Sequence, residues 1–294
     1  MNRKWLVVCV LAGFAGLLAL LTLRKGEARQ FSSAPGKGWP VNVAHRGASA
    51  QAPENTLEAF RAAEASGAGG LELDVHITRD GEAVVIHDSS LNRTTDGAGL
   101  VREKTLQELR SFDAGYRFTG DGGQSYPHRD RKVRMPTLGE VLEEFPGVTV
   151  NIEIKEAPPG GEGAVLEAIE RAGAEDRVLV AAERLAVIER FREVSGGRVA
   201  TAASRREIAT FYLMSRLRLE GLLRPRYQSL QVPVDFGRRE IVTPRFVEAA
   251  HGRGVRVDVW TINDAPEMQR LLDLGVDSIM TDRPAVMSEV LEGR

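Results

Sequence analysis

The feature that most restricts the fold of this 294-residue chain is a regular alternation of short β-branched segments with amphipathic helical segments. The predicted strands cover residues 41–45, 71–75, 148–155, 178–182, 199–203, 228–233, 255–261 and 276–281. The predicted helices cover residues 56–66, 137–145, 162–172, 184–194, 206–219, 244–252 and 265–274, with a short final helix from Pro284. Strands that alternate with helices of this length form βαβ units around a parallel sheet.

Eight such units indicate an α/β protein, a (β/α)₈ TIM barrel over residues 41–294. In this fold the active site lies at the carboxyl ends of the strands. The alternative is an open doubly wound sheet, which would carry a phosphate-binding glycine loop after its first strand. No G-x-G-x-x-G motif follows residue 45. The sequence therefore favours the barrel.

The residues before the barrel predict a membrane segment. Residues 5–23 carry no charge and have basic residues on both sides, and as a helix they would be roughly 28 Å long, close to the thickness of the hydrocarbon core. A cleaved signal peptide has a shorter apolar core, so the pattern favours an uncleaved anchor within residues 1–28, with a cleaved signal as the alternative. Residues 29–40 are rich in Gly, Ser and Pro and read as a linker.

Charge and cysteine content restrict the partners and the location. Residues 30–294 contain 34 basic and 40 acidic residues, a net charge of -6, which argues against a nucleic-acid partner. Cys9 is the only cysteine, so the barrel forms no disulfide. If the basic residues before the apolar segment stay inside, the barrel is extracytoplasmic; signal cleavage would instead give a secreted or periplasmic protein. No feature of the sequence defines an oligomeric state.

A long insertion, residues 76–136, interrupts the alternation after the second strand. Asp80-Gly81 predicts a two-residue hairpin turn. With that turn, the numbers of any two residues paired across the hairpin add up to 161. His87 is therefore predicted to lie opposite Asp74. Residues 118–134, rich in Gly and charge, are predicted to form a mobile flap over the barrel mouth.

Acidic residues occur on strands that should be apolar. Glu72 and Asp74 alternate with apolar residues and so share one strand face, as do Glu153 and Lys155. Carboxylates on buried parallel strands are costly unless they bind a cation or pair. Three converging carboxylates would suit Mg²⁺ or Ca²⁺ better than zinc. The alternative is internal ion pairing of Glu153 with Lys155 or Arg46.

The histidines and one tryptophan have two possible roles each. His45 ends the first predicted strand, and with His87 it lies near acids, so the pair is either catalytic or structural. His76 is predicted to face solvent on the hairpin. Trp260 is either a core residue or an aromatic wall for a substrate. Residues 53–56 read as a helix start, with Asn55 or the threonine after it as the cap.

Six segments together resemble the glycerophosphodiester phosphodiesterase family. They are HRGASAQAPENTLEAF (45–60), ELDVHITRDGEAVVIHD (72–88), NRTTDG (92–97), NIEIK (151–155), VWTIND (259–264) and IMTDRP (279–284). The resemblance runs in order from about residue 41 to 289. It implies a (β/α)₈ barrel that hydrolyses glycerophosphodiesters to sn-glycerol 3-phosphate and an alcohol, using a divalent cation such as Mg²⁺ or Ca²⁺.

The resemblance also implies a role for each matched residue. It implies Glu72, Asp74 and Glu153 as metal ligands and His45 and His87 as the acid–base pair. It further implies Arg46 and Lys155 on the phosphate, Glu54 and Asn55 as additional active-site polar residues, and Trp260 as the substrate-facing aromatic. Residues 113–134 are the least family-like part of the chain.

Three alternatives to this function stay open. The first is a related phosphodiesterase that cleaves the headgroup of a lysophospholipid or sphingolipid, which the predicted membrane anchor would bring close to the lipid. The second is a non-catalytic module that binds phosphodiesters, and the third is a purely structural tethered domain. The last two would not need both histidines, all three acids and both basic residues.

Overall fold

The computed structural model describes residues 41–156, 160–237 and 239–294. The predicted anchor at 1–28 and the linker at 29–40 lie outside these ranges. Among the described residues, no helix is long and apolar enough to cross a bilayer.

Eight parallel strands form the barrel, and all eight correspond to predicted strands. In the described part of the chain the strands are β1 Asn42–His45, β2 Gly70–Ile77, β3 Ala83–Val85, β4 Thr149–Glu156, β5 Val178–Ala181, β6 Ala200–Thr201, β7 Ser229–Val232, β8 Asp235–Phe236, β9 Arg239–Glu240, β10 Arg256–Val259 and β11 Ser278–Thr281. The barrel order is β6-β5-β4-β2-β1-β11-β10-β7. Between β6 and β7, Gln228 N donates to Thr201 O at 2.8 Å and Ala203 N donates to Ser229 O at 2.9 Å. These bonds bring the two ends of the sheet together, which excludes the open doubly wound alternative.

Helices cover the outside of the barrel at the predicted places. They are α1 Leu57–Ala65, α2 Leu106–Leu109, α3 Leu138–Glu144, α4 Gly161–Arg171, α5 Leu185–Val194, α6 Arg205–Arg216, α7 Pro244–His251, α8 Ala265–Asp273 and α9 Pro284–Glu292. Only α2, inside the insertion, was not predicted. Thr56 caps α1 by accepting from Ala59 N, so the threonine and not Asn55 is the cap. Phenylalanines 60, 191, 211 and 246 are fully buried between helices and strands, which fixes the helix layer on the sheet.

The hairpin after β2 differs from its predicted register by one residue. Val75 pairs with Val85 and Ile77 with Ala83, so paired positions sum to 160. The loop has three residues, because the Thr78 hydroxyl accepts from Glu82 N at 2.9 Å and closes it, with Gly81 at φ 89°. Opposite Asp74 therefore lies Ile86, whose N donates to Asp74 O at 3.0 Å. The prediction that His87 lies directly opposite Asp74 was wrong.

The rest of the insertion packs as a small layer beside the mouth. Its apolar residues form a buried cluster of Val84, Ile86, Leu91, Val101, Leu109 and Met135. Asp113 accepts from the backbone N of Lys132 and Val133 at 3.2 and 3.1 Å. The Arg129 guanidinium lies 4.6 and 4.0 Å from the ring centroids of Tyr116 and Tyr126. The predicted flap is therefore an irregular segment with its own contacts, and its mobility remains a prediction.

Candidate active site

Three carboxylates meet on neighbouring strands of the barrel. Glu72 and Asp74 share a face of β2, and the register places Asp74 beside Glu153 of β4. One oxygen from each residue lies within 4.8 Å of the other two. A compact set of oxygen donors suits a hard divalent cation such as Mg²⁺ or Ca²⁺. The residue types and their spacing thus fit such an ion.

Basic side chains neutralise only part of this cluster. The Lys155 Nζ lies 3.0 Å from Asp74 Oδ1 and 2.8 Å from Glu153 Oε2, and Arg46 Nε lies 3.3 Å from Asp74 Oδ2. The ion pair considered between Glu153 and Lys155 is therefore present. Despite burial, these cations lower the pKa of Asp74.

Glu72 is the carboxylate of the cluster without a lysine or arginine side-chain partner among the described ion pairs. Its Oε2 accepts from the backbone N of Arg46 at 3.0 Å and lies 4.0 Å from His45 Nε2. Burial, together with the charge of Asp74, raises the pKa of Glu72 to about 8. Glu72 is thus a buried carboxyl group that no lysine or arginine side chain in the described ranges holds, and on loss of its proton it is available as a ligand, which is a second reason that a cation fits the cluster.

His45, at the end of β1, is oriented by an aspartate. Its Nδ1 lies 2.7 Å from Asp282 Oδ1, and Asp282 also accepts from Ser49 Oγ at 2.9 Å and Asn263 Nδ2 at 2.6 Å. Burial alone would lower the pKa of His45, but the hydrogen bond to Asp282 and the charge of Glu72 raise it above its usual value. The Nε2 atom is left on the side of the carboxylate cluster.

His87 repeats this arrangement from the insertion. Its Nδ1 lies 2.6 Å from Asp88 Oδ1. Arg93 donates to Asp88 at 2.7 Å and to both oxygens of Glu54 at 2.6 and 2.7 Å. The hydrogen bond from Arg93 lowers the pKa of Asp88 to about 2. His87 lines a small cavity together with Glu54 and Asn55, and Asn55 donates to Asp74, so this second histidine also lies beside the cluster.

The loop after β1 places Arg46 and Asn55 against the same carboxylates. Both residues have a φ of 58°, in the left-handed region that costs most residues energy. Asn55 N donates to Arg46 O at 3.0 Å, and Asn55 Nδ2 donates to Asp74 Oδ2 at 2.9 Å. Gly47 follows at φ 81°, where an added Cβ would lie 2.7 Å from the backbone of Ala59. The loop is thus fitted closely to α1 and the cluster.

A cleft of about 340 Å³ opens beside these groups. His45, Arg46, Ser49, Ala50, Glu54, Asn263, Asp282 and Arg283 line it. Trp260 follows β10 and its side chain is 43% exposed, so the alternative that it is a core residue is wrong. It lies at the mouth of the barrel, a position that fits the other alternative, an aromatic wall for a substrate.

The structure thus brings together His45, Arg46, Glu54, Asn55, Glu72, Asp74, His87, Glu153 and Lys155, with Trp260 on the rim. Four neighbours were not predicted as site residues, namely Asp88, Arg93, Asn263 and Asp282. Each lies inside a segment that carries the resemblance, which was the available signal. The prediction for His76 was wrong: it is buried, and its Nε2 lies 3.0 Å from His87 O.

Fold and site define a (β/α)₈-barrel enzyme with two carboxylate-paired histidines beside an acidic cluster. Residues 45–286 match the sequence profile of the glycerophosphoryl diester phosphodiesterase family. The chain belongs to this family and is a phosphodiesterase of it.

Relatives and solved structures agree with this membership. A glycerophosphodiester phosphodiesterase of Caldanaerobacter subterraneus is 35% identical over 256 residues, covering 83% of this chain and 95% of that protein. An Oleispira antarctica phosphodiesterase, solved in complex with its product sn-glycerol 3-phosphate, is 27% identical with a TM-score of 0.67, covering 85% of this chain and 96% of that one. A glycerophosphoryl diester phosphodiesterase domain from Mycobacterium tuberculosis shares the fold, with 23% identity and a TM-score of 0.76 over 87% of this chain and all of that one.

Proposed function

We propose that this enzyme hydrolyses glycerophosphodiesters to sn-glycerol 3-phosphate and an alcohol, with a divalent cation as its cofactor. The observation that carries the proposal is the pair of histidines, each bound to a carboxylate through Nδ1, beside the carboxylate cluster. The family and the product bound by the Oleispira antarctica neighbour support the choice of substrate.

The carboxylate cluster, by binding a cation, and its basic neighbours would together neutralise the charge of the phosphodiester. Glu72, Asp74 and Glu153 would bind Mg²⁺ or Ca²⁺, which supplies positive charge against the phosphodiester and the charge that develops on it. Arg46 and Lys155 would bind the phosphate oxygens, because both are cations that lie at the cluster, in contact with Asp74. Glu54 accepts from Arg46 Nη1 at 2.9 Å and Asn55 N donates to Arg46 O, so both residues would orient Arg46. Trp260 would contact the substrate from the rim.

The histidines would carry the protons. With Nδ1 of each ring bound to an aspartate, Nε2 is the atom available to the substrate. One histidine removes a proton from the nucleophile, and the other gives a proton to the leaving alkoxide. The nucleophile is either a hydroxyl of the substrate, which gives a cyclic phosphate that water then opens, or water itself.

Asp282→Asn is expected to move one limb of the pH profile to lower pH. The amide keeps the size of the aspartate but removes its charge, and the hydrogen bond to Asp282 is the largest of the contributions that raise the pKa of His45. The acidic limb moves if His45 is the base, and the alkaline limb moves if His45 is the acid. We also expect kcat to fall by roughly 10–100-fold, because an orienting partner is lost. The measurement is kcat/KM against pH; two unmoved limbs would contradict the role of His45.

The substrate class is tested with the purified full chain in detergent. Glycerophosphocholine and glycerophosphoethanolamine are expected to release glycerol 3-phosphate, measured by a coupled assay. Lysophosphatidylcholine micelles test the lipid-directed alternative in parallel. Turnover of the micellar lipid without turnover of either glycerophosphodiester would overturn the proposed substrate, and binding of the diesters without turnover would favour the non-catalytic module.

We further propose that residues 1–28 anchor the enzyme in a membrane and that the barrel is extracytoplasmic. The support is the sequence alone: an uncharged stretch of nineteen residues, 5–23, with basic residues on both sides. The extracytoplasmic barrel follows if the basic residues before the stretch stay inside.

A further inference from the structure

An unusual surface lies on the segment that connects α6 to β7. Four leucines and four arginines form what we term the leucine–arginine patch: Leu213, Leu217, Leu219, Leu222, Arg216, Arg218, Arg224 and Arg226. The leucines are 58%, 57%, 38% and 45% exposed, in that order. They make up half of the large apolar side chains that are exposed in the described ranges. The four fall within ten residues, so half of these exposed apolar side chains are concentrated in one short segment of the chain.

The charge of this surface is opposite to that of the barrel as a whole. Residues 212–226 contain four arginines and one acid, Glu220, which is paired with Arg245. Residues 30–294 as a whole have a net charge of -6. An anionic surface would therefore repel most of the domain and attract it here. Exposed leucines interspersed with exposed arginines are the combination with which proteins bind the interface of an anionic bilayer.

The patch also lies away from the active-site mouth. It belongs to the connection that leads into the amino end of β7, and Arg253, in the connection to the amino end of β10, donates to Leu223 O at 2.6 Å. The active-site residues lie at the carboxyl ends of the strands. The chain enters β1 at its amino end, which is the end of the barrel on which the patch lies.

We propose that the leucine–arginine patch docks on an anionic phospholipid surface and turns the active-site mouth toward water. The mouth has its own exposed apolar side chains, Phe236 at 67% and Trp260 at 43%. The cleft there is lined by charges of both signs, Glu54 and Asp282 with Arg46 and Arg283, so it lacks the excess of positive charge that the patch offers to an anionic bilayer. In the proposed orientation the enzyme takes its substrates from solution. This inference concerns orientation and holds whichever phosphodiester is cleaved.

The test places one fluorescent label at each end of the barrel of the full chain. In a Cys9→Ser background, Leu217→Cys reports on the patch and Phe236→Cys on the mouth, each carrying an environment-sensitive dye. The proteins are reconstituted in vesicles of about three parts phosphatidylcholine to one part phosphatidylglycerol, with a spin-labelled lipid as quencher. We expect the label at 217 to be quenched roughly twofold or more relative to the label at 236.

The controls separate docking from its alternatives. Arg216→Gln with Arg218→Gln, or vesicles of phosphatidylcholine alone, are expected to remove most of the difference between the two labels. Equal quenching at both positions, or stronger quenching at 236, would overturn the proposal. So would a change in the emission of the 217 label that depends on protein concentration and not on lipid, because a second copy would then cover the patch. No substrate is present, so the result is independent of the proposed reaction.

Discussion

Replacing His45 or His87 with alanine is expected to lower kcat by about 10²–10⁴-fold, the usual size of a lost general acid or base. The fold should survive, because the two imidazoles are 18% and 30% exposed and belong to no apolar cluster of the described core. The measurement is steady-state kinetics on glycerophosphocholine, with thermal unfolding of each variant followed by circular dichroism.

His251→Ala supplies a matched control. His251 ends α7, and its Nε2 lies 2.8 Å from Asp277, so it too is a histidine bound to a carboxylate. It lies outside the carboxylate cluster and the cleft, and its removal should leave kcat within about twofold of the wild type. Near-normal turnover in either active-site variant would rule out the two-histidine scheme. A fall in all three variants together with a lower Tm would indicate loss of structure and not of proton transfer.

Most of the fold could be predicted because the dominant signal is local. Each barrel strand is buried on both faces, so it reads as a short β-branched run, and each covering helix has one apolar face. The elements that were missed are short. The two-residue strands β8 and β9 and the single turn of α2 show no periodicity that a sequence could reveal. The hairpin register depended on one hydroxyl, that of Thr78, which closes a three-residue loop where Asp80-Gly81 suggested a two-residue turn.

The site could be predicted in part, for the same physical reason. Glu72 and Asp74 share a face because strand side chains alternate, and this follows from the sequence. The register that brings Glu153 beside Asp74 depends on how two distant strands pair. The partners of the histidines are equally non-local: Asp282 lies 237 residues from His45 along the chain. Arg93 donates to both Glu54 and Asp88 and so links two loops. No pattern in either loop predicts such a contact.

Removing divalent cations is expected to lower turnover by about 10²-fold or more, since a cation at the phosphate is worth several kcal/mol. Dialysis against EDTA should abolish most of the release of glycerol 3-phosphate, and adding back Mg²⁺ or Ca²⁺ should restore it. The ion that restores it at the lower concentration identifies the preferred metal. Full activity in EDTA would mean that Lys155 and Arg46 are sufficient to neutralise the cluster.

Cation binding should also release a proton, and this readout does not depend on activity. In the cation-free protein the pKa of Glu72 is raised to about 8, so at pH 7 its carboxyl group carries a proton. Glu72 must lose that proton to coordinate a cation. Calorimetric titration with Mg²⁺ or Ca²⁺ at pH 7, in two buffers of different ionisation enthalpy, should therefore report release of close to one proton. At pH 9, above the pKa of Glu72, the release should largely disappear.

Two glutamine variants decide whether Glu72 is the source of that proton. Glu72→Gln removes a ligand and its titrating group together, so both the affinity for the cation and the proton release should fall. Glu156→Gln makes the same chemical change at the exposed end of β4, outside the cluster, and should leave both unchanged. Cation binding without proton release in the wild type would contradict a protonated Glu72. Unchanged affinity in Glu72→Gln would show that Glu72 does not coordinate, and the ion would then have to rest on Asp74 and Glu153 against competition from Lys155.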